Sequence, residues 1–194
     1  MLTCGRLAVL AICAVIVSGC TMPDPEAGFA HIGPYIGGGY THSLEDFDGL
    51  GAGVKADDSH GLNLKFGYRG SEYAAIEADY SDLFGYDLNT TSPSEIEGYV
   101  GTVNLKLFPT ATLSFNRLQP YVFGGIGYVA LDAANYDTAL ATRYGIGADL
   151  YLTQTTLFYA EFGAVNPGNQ GSTDNLHDFD SVNLNFGVQF RFGE

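Results

Sequence analysis

The feature that most constrains this chain is an alternation of apolar and polar side chains in short segments. In residues 182–192, apolar side chains occupy every even position, and polar side chains or glycine occupy every odd position. A period of two also occurs in residues 62–69, 74–80, 102–107, 143–150 and 158–162. Successive side chains of a β-strand point to opposite faces, so each segment is predicted to be a strand with one apolar face. No apolar run after residue 20 reaches the roughly 20 residues of a transmembrane helix.

Two further segments, 33–43 and 119–130, are predicted strands whose glycine content leaves their faces unassigned. This makes an all-β chain of eight strands, each of about eleven residues. The predicted connections are long at 44–58, 83–96, 131–141 and 166–180, tight at 70–71 and 153–154, and intermediate at 109–118. Short turns on one side and long loops on the other are typical of an eight-stranded antiparallel up-and-down transmembrane β-barrel. Tilted by about 45°, such strands rise roughly 25 Å, the height of the apolar band of these barrels.

The charged residues indicate which face points inward. Only 15% of the residues are charged, against about 25% in soluble domains. Five basic and four acidic side chains fall on the polar strand faces: Lys65, Arg69, Glu77, Asp79, Lys106, Arg143, Asp149, Glu161 and Arg191. Unpaired charges are costly in a narrow interior, whereas a nearly neutral set can form ion pairs there. We therefore expect the polar face inside, the apolar face against lipid, and an ion pair between Lys65 and Glu77.

The remaining acidic residues concentrate in the predicted long loops. These loops hold twelve acidic residues and one basic residue, Lys55; the acidic ones are Glu45, Asp46, Asp48, Asp57, Asp58, Asp87, Glu95, Asp132, Asp137, Asp174, Asp178 and Asp180. The net charge of −14 makes nucleic acid an unsuitable partner, because phosphate binding needs clustered Lys and Arg. Aromatic residues near the predicted strand ends favour interfacial girdles: Tyr68, Tyr73, Tyr80, Tyr99, Phe108, Tyr128 and Tyr144.

The N-terminus has the features of an export signal. Arg6 precedes an apolar run at 7–17 that is too short to span a bilayer, so residues 1–19 are predicted to be a signal peptide. The residues before Cys20 resemble the lipobox of bacterial lipoproteins, in which cleavage leaves a lipidated cysteine. An ordinary signal peptidase site at the same bond is the alternative. Residues 20–32 are then a tether, and residues 33–192 form the barrel.

The segments 75–80, 120–128 and 182–192 resemble the small eight-stranded outer-membrane barrels, a superfamily that includes the transmembrane domain of OmpA and related surface antigens. The resemblance implies a location in the outer membrane, contact with its lipid and lipopolysaccharide, and no cofactor. It also implies that Phe190 and Phe192 form a C-terminal signal for the barrel assembly machinery. This chain departs from the family pattern because Gly193 and Glu194 follow the terminal aromatic residue.

Catalytic and metal-binding motifs are weak in this sequence. Some barrels of this size modify lipid A, and the pairs at 42–43 and 59–60 each join a histidine to a serine. Sequence neighbours point to opposite faces of a strand, however, and the deacylase pattern of this superfamily is absent. The acidic residues at 46–48 and 57–58 lack the twelve-residue spacing of a calcium loop, although divalent bridging to lipopolysaccharide phosphate stays open. We therefore expect no enzyme and no resident metal site.

The rival fold is a lipid-anchored soluble barrel of lipocalin type, which normally has an early tryptophan. This chain has none. The interior of an eight-stranded barrel is just wide enough to be filled by side chains. The expected function is therefore structural or adhesin-like, with a filled polar interior and acidic external loops that bind a surface ligand. A narrow channel or hydrophobic-ligand conduit, and a lipid A-modifying enzyme, are the alternatives.

Overall fold

The computed structural model describes residues 32–47, 59–87, 95–109, 117–132, 138–167 and 179–192. The predicted signal peptide, residues 20–31 of the tether (including Cys20), Gly193 and Glu194 lie outside these ranges. So do six of the twelve acidic loop residues: Asp48, Asp57, Asp58, Asp137, Asp174 and Asp178. The eight strands are β1 (Gly33–Phe47), β2 (Ser59–Arg69), β3 (Ala74–Asp87), β4 (Glu95–Leu107), β5 (Leu118–Asp132), β6 (Ala139–Tyr151), β7 (Thr156–Pro167) and β8 (Phe179–Arg191). Within the described ranges, no helix is both long and apolar enough to cross a membrane.

The strands form one closed barrel in sequence order. Each strand pairs antiparallel with the next, and β1 closes the barrel by pairing with β8. Paired residues followed around the wall from Tyr35 lead back to β1 at Glu45, ten residues further along. This stagger requires strongly tilted strands, because tilt and stagger are linked when a sheet closes. The predicted all-β, eight-stranded up-and-down barrel is confirmed.

Several strands are longer than the expected eleven residues. β1 and β5 each have 15 residues and β3 has 14, so they extend into regions predicted to be loops. The extension of β1 pairs with β8, where Glu45 lies opposite Ser181 and Phe47 opposite Phe179. The ladder continues there although the apolar alternation has ended. Beyond the apolar band, both faces of the wall are in contact with water, so the backbone pairing of the strands no longer requires one apolar face.

Interior glycines make room for aromatic rings on neighbouring strands. Tyr35 lies opposite Gly67, and Tyr121 lies opposite Gly147. A side chain added at either glycine would overlap the facing ring. The odd positions of β1 and β5 therefore point inward, which resolves the two faces that the sequence left unassigned. Glycine has no side chain whose polarity could indicate a face. Its face can be assigned only from the residue opposite it in the ladder.

The outer face of the barrel is apolar, and its inner face is polar. Ile126 is 64% exposed, whereas Lys65 is 0% exposed. This is the reverse of a water-soluble protein, in which large apolar side chains fill the interior. Four of the predicted girdle tyrosines are exposed on the outer face: Tyr68, Tyr80, Tyr128 and Tyr144. Tyr73 is exposed as well, in the turn before β3.

The girdle assignment of Phe108 was wrong. Phe108 is only 4% exposed, and its ring centroid lies 5.3 Å from that of Tyr121 inside the barrel. It is two residues beyond Lys106, and side chains two apart share a face. Because Lys106 points inward, Phe108 does so as well.

Candidate functional site in the barrel interior

The nine charges predicted on the polar strand faces all lie inside the barrel. Each has at most 5% of its surface exposed: Lys65, Arg69, Glu77, Asp79, Lys106, Arg143, Asp149, Glu161 and Arg191. Every one comes from a strand position whose immediate neighbours point outward, so the two-residue period places them all in one enclosed space. They divide into two groups along the barrel axis, described here as the central network and the turn-end group.

The central network contains three cations and three anions: Lys65, Lys106, Arg143, Glu77, Asp79 and Glu161. Lys65 is in contact with all three carboxylates. Its Nζ lies 3.1 Å from Glu77 Oε1 and 2.8 Å from Glu161 Oε2, and it also donates to Asp79. The expected pair of Lys65 with Glu77 is therefore brought together, although Asp79 is the residue directly opposite Lys65 in the ladder.

Glu161 is the carboxylate that joins the three cations across the barrel. Its Oε2 accepts from Lys65 and, at 3.0 Å, from Arg143, while its Oε1 lies 2.9 Å from Lys106 Nζ. The remaining ion pairs join Lys106 to Glu77 at 2.6 Å and Arg143 to Asp79 at 2.7 Å. With three positive and three negative charges, the network is neutral as a whole.

Two tyrosines that sequence reasoning missed complete this network. Tyr35 Oη donates to Glu77 Oε2 at 3.0 Å, and Tyr121 Oη donates to Glu161 Oε1 at 2.8 Å. The ring of Tyr121 also faces the ammonium group of Lys106, 4.5 Å from the ring centroid. Both tyrosines belong to the glycine-rich strands, where no alternation was available to assign them to the interior.

The turn-end group lies nearer the short turns and contains Arg69, Asp149, Arg191, Gln119 and Tyr151. Arg191 Nη2 donates to Asp149 Oδ2 at 2.9 Å. Arg69 bonds neutral acceptors among the described residues: Gln119 Oε1 at 2.9 Å, Tyr151 Oη at 3.1 Å, and the carbonyls of Ser71 at 3.1 Å and Glu72 at 2.5 Å. Its guanidinium carbon lies 4.0 Å from the ring centroid of Phe108. This group has two cations and one carboxylate, in contrast to the balanced network.

The carboxylates of the central network also have the proximity that a metal site requires. One oxygen each from Glu77, Asp79 and Glu161 lies within 4.8 Å of the others. Nitrogen atoms of the three network cations already contact these carboxylates. A metal ion would have to displace ammonium and guanidinium groups that balance the same charges, so the arrangement favours a set of ion pairs.

The wall separates the serines and histidines that suggested a hydrolase. Ser43 and Ser59 lie opposite each other and point inward, both fully buried. His42 and His60 also lie opposite each other, on the outer side of the same two strands. Neither histidine can therefore contact the serine next to it in sequence unless the conformation of the strand changes.

A closed eight-stranded antiparallel barrel with an apolar exterior and a charged interior defines the class of outer-membrane barrel proteins. The chain belongs to the family described as outer membrane protein beta-barrel domain, whose model matches residues 11–192. The protein is accordingly located in the outer membrane. No curated protein is significantly similar to it in sequence.

Solved structures of small outer-membrane proteins share this fold. Neisserial surface protein A has a TM-score of 0.63 and 16% identity, covering 82% of this chain and 97% of its own. OprG from Pseudomonas aeruginosa has a TM-score of 0.59 and 16% identity, with coverage of 86% and 99%. Ail of Yersinia pestis has a TM-score of 0.55 and 16% identity, with coverage of 84% and 99%. At this identity, the likeness concerns the fold alone.

Proposed function

We propose that this protein is a surface-interaction barrel with a filled interior, and that it binds partners through its acidic external loops rather than transporting solutes. The observation that carries the proposal is the central network, in which Lys65, Glu77 and Glu161 join opposite sides of the barrel at 2.8 to 3.1 Å. Tyr35 and Tyr121 occupy further interior space beside it. A path for a solute would have to disrupt several buried ion pairs at once.

Planar-bilayer recording tests the filled interior. We expect little or no steady current through the wild-type barrel, and a measurable current through the double variant Lys65→Ala/Glu77→Ala, which removes two side chains of the central network. Ile126→Ala, on the outer face, is the matched control and should behave as wild type. A wild-type current that the double variant leaves unchanged would contradict the proposal and favour a conduit outside the network.

The loop charges support a cationic partner. The predicted long loops carry twelve acidic residues against Lys55 alone, so their field attracts positive surfaces and repels polyanions. The related barrel Ail has been solved in complex with the heparin analogue sucrose octasulfate. We propose the opposite preference for this chain: basic proteins or lysine-rich peptides, and no heparin-like ligand.

Binding of the protein in lipid nanodiscs to a lysine-rich peptide tests this preference, with heparin as the polyanionic comparison. We expect salt-sensitive binding to the peptide alone. Replacing Asp174, Asp178 and Asp180 by Asn should slow association, whereas Lys55→Gln should accelerate it, because loop charges mainly steer encounter. Equal binding of both probes, or an unchanged rate in the triple variant, would contradict loop-mediated recognition.

We also propose that Phe190 and Phe192 are recognised by the barrel assembly machinery. Both are exposed on the outer face near the end of β8, at 50% and 57%. Replacing both by alanine should reduce the heat-modifiable, folded form in membranes while leaving refolding in detergent unaffected. The outer-face control Phe186→Ala should leave insertion normal, and normal insertion of the double variant would remove this role.

Processing at the N-terminus is part of the proposal. We propose that residues 1–19 are removed and that Cys20 is lipidated, so that the tether and the barrel are both anchored in the outer membrane. Metabolic labelling with a fatty-acid analogue should mark the wild-type protein and fail to mark Cys20→Ala. Equal cleavage of both proteins without labelling would indicate ordinary signal peptidase processing.

We further propose that the protein has no catalytic activity, so lipid A should keep its mass on expression.

A further inference from the structure

Two histidines form a directly opposed pair on the outer wall. His42 of β1 and His60 of β2 are partners in the ladder, and both belong to the outward-facing set of positions. They lie towards the loop-bearing end, because β2 begins at Ser59, one residue before His60. Directly opposed residues of an antiparallel pair have Cβ atoms about 5 Å apart. The backbone therefore holds the β-carbons of the two histidines close to each other.

The surroundings of this pair are aromatic. The His60 ring stacks on Tyr40 with a centroid distance of 6.3 Å and an interplanar angle of 19°, and it meets Phe84 edge-on at 6.5 Å. Girdle packing accounts for an aromatic ring at position 60, as a tyrosine or phenylalanine would provide. Such packing does not explain why both opposed positions, one on each strand, are histidines. Two opposed histidines offer two nitrogen ligands side by side.

We propose that His42 and His60 form a two-imidazole binding site for a transition-metal ion of the Cu²⁺, Ni²⁺ or Zn²⁺ type. Imidazole nitrogen binds these ions at about 2.0 to 2.1 Å, so both rings can reach one ion across an opposed strand pair. Ca²⁺ and Mg²⁺ prefer oxygen ligands and are not expected at this site. A bound ion clips β1 to β2 at the base of the first external loop.

The test uses untagged, full-length protein folded in lipid nanodiscs and titrated with Cu²⁺, Ni²⁺ or Zn²⁺. We expect Cu²⁺ to bind more tightly than Ni²⁺ or Zn²⁺, following the usual order for nitrogen sites. The electron paramagnetic resonance spectrum of bound Cu²⁺ should show coupling to two imidazole nitrogens. His42→Ala and His60→Ala should each weaken binding by more than about tenfold, since even outer-shell partners of metal sites cause losses of that size.

The controls separate this site from the other ligands of the chain. His177→Ala should bind Cu²⁺ as the wild type does, and Ca²⁺ should fail to displace Cu²⁺. The second result distinguishes binding by imidazole from binding by the carboxylates of the acidic loops. Heat-modifiable gel mobility confirms that each variant is folded. Unchanged Cu²⁺ affinity in the folded His42→Ala and His60→Ala variants, or loss of binding in His177→Ala alone, would overturn the proposal. Neither result would affect the proposed loop-mediated binding of cationic partners.

Discussion

The central network and the turn-end group bury charges in the same barrel by different means. In the central network, Lys65, Lys106 and Arg143 each contact two or three carboxylates, and the charges cancel. Among the described residues of the turn-end group, Arg191 has one carboxylate partner, and Arg69 is held by neutral oxygen atoms and an aromatic ring. Both lysines and two of the arginines, Arg143 and Arg191, are neutralised by ion pairs. The Arg69 guanidinium is instead accommodated by several hydrogen bonds. The delocalised charge and five donors of arginine suit that second arrangement.

The largest effect is expected from removing the carboxylate that three cations share. Glu161→Gln leaves three cations facing two carboxylates, so we expect the free energy of unfolding to fall by about 3–5 kcal/mol. Urea unfolding in lipid vesicles, followed by circular dichroism and gel mobility, measures the change. Adding Lys106→Met should recover part of the loss, because it restores the charge balance. If the double variant loses more free energy of unfolding than the two single variants lose together, charge balance is not the cause.

A smaller loss is expected from Asp149→Asn. Arg191 then loses its carboxylate partner but still lies 5.0 Å from the ring centroid of Tyr151 and 5.7 Å from that of Tyr35. We expect a loss of about 1.5–3 kcal/mol, the range for a hydrogen bond to a charged group. The same urea experiment measures it. A loss as large as that of Glu161→Gln would mean that the two regions depend equally on carboxylates.

Arg69→Met should cost less again, below about 1.5 kcal/mol. Of the acceptors that Arg69 leaves behind, Gln119 Oε1 still accepts a hydrogen bond from Tyr151 Oη at 3.1 Å. The carbonyls of Ser71 and Glu72 belong to a turn in which Ser71 is half-buried and Glu72 is exposed, so water can reach it. Methionine fills much of the same volume, and the substitution removes the desolvation cost of a buried cation that the described residues do not pair with a carboxylate. Arg69→Ala, which also removes the packing on Phe108, serves as the comparison and should be less stable than Arg69→Met. Equal, large losses in both variants would show that the charge itself is required.

The smallest effect is expected from Ser59→Ala, with a change within about 0.5 kcal/mol of zero. Ser59 is fully buried, and its hydroxyl has no hydrogen-bond partner among the described residues. Deleting a polar atom that makes no hydrogen bond removes a desolvation penalty without breaking a contact. A loss above 1 kcal/mol, seen in the same unfolding assay, would reveal a partner for this hydroxyl.

The sequence was informative wherever polarity alternated. Lys65, Glu77 and Glu161 could be assigned to one face of the sheet because their neighbours along the strand are apolar, and the balance of charge indicated that this face is enclosed. It was uninformative at Tyr35 and Tyr121, whose strands are rich in glycine. Phe108 was misassigned because its position near a strand end outweighed its parity with Lys106. The predicted strands are too short because backbone pairing continues where the alternation stops.

By itself, the sequence determined the class of fold, the face on which each charge lies, and the membrane as the surrounding solvent. A period of two is a property of a single strand, so it can be detected without knowing the strand's neighbours. The tertiary structure alone decided which charges meet. Glu161 reaches Lys65 from a position 96 residues away, because barrel closure and a stagger of ten residues bring β7 and β2 to the same depth of the interior. Those distances depend on all eight strands at once, and no local pattern contains them.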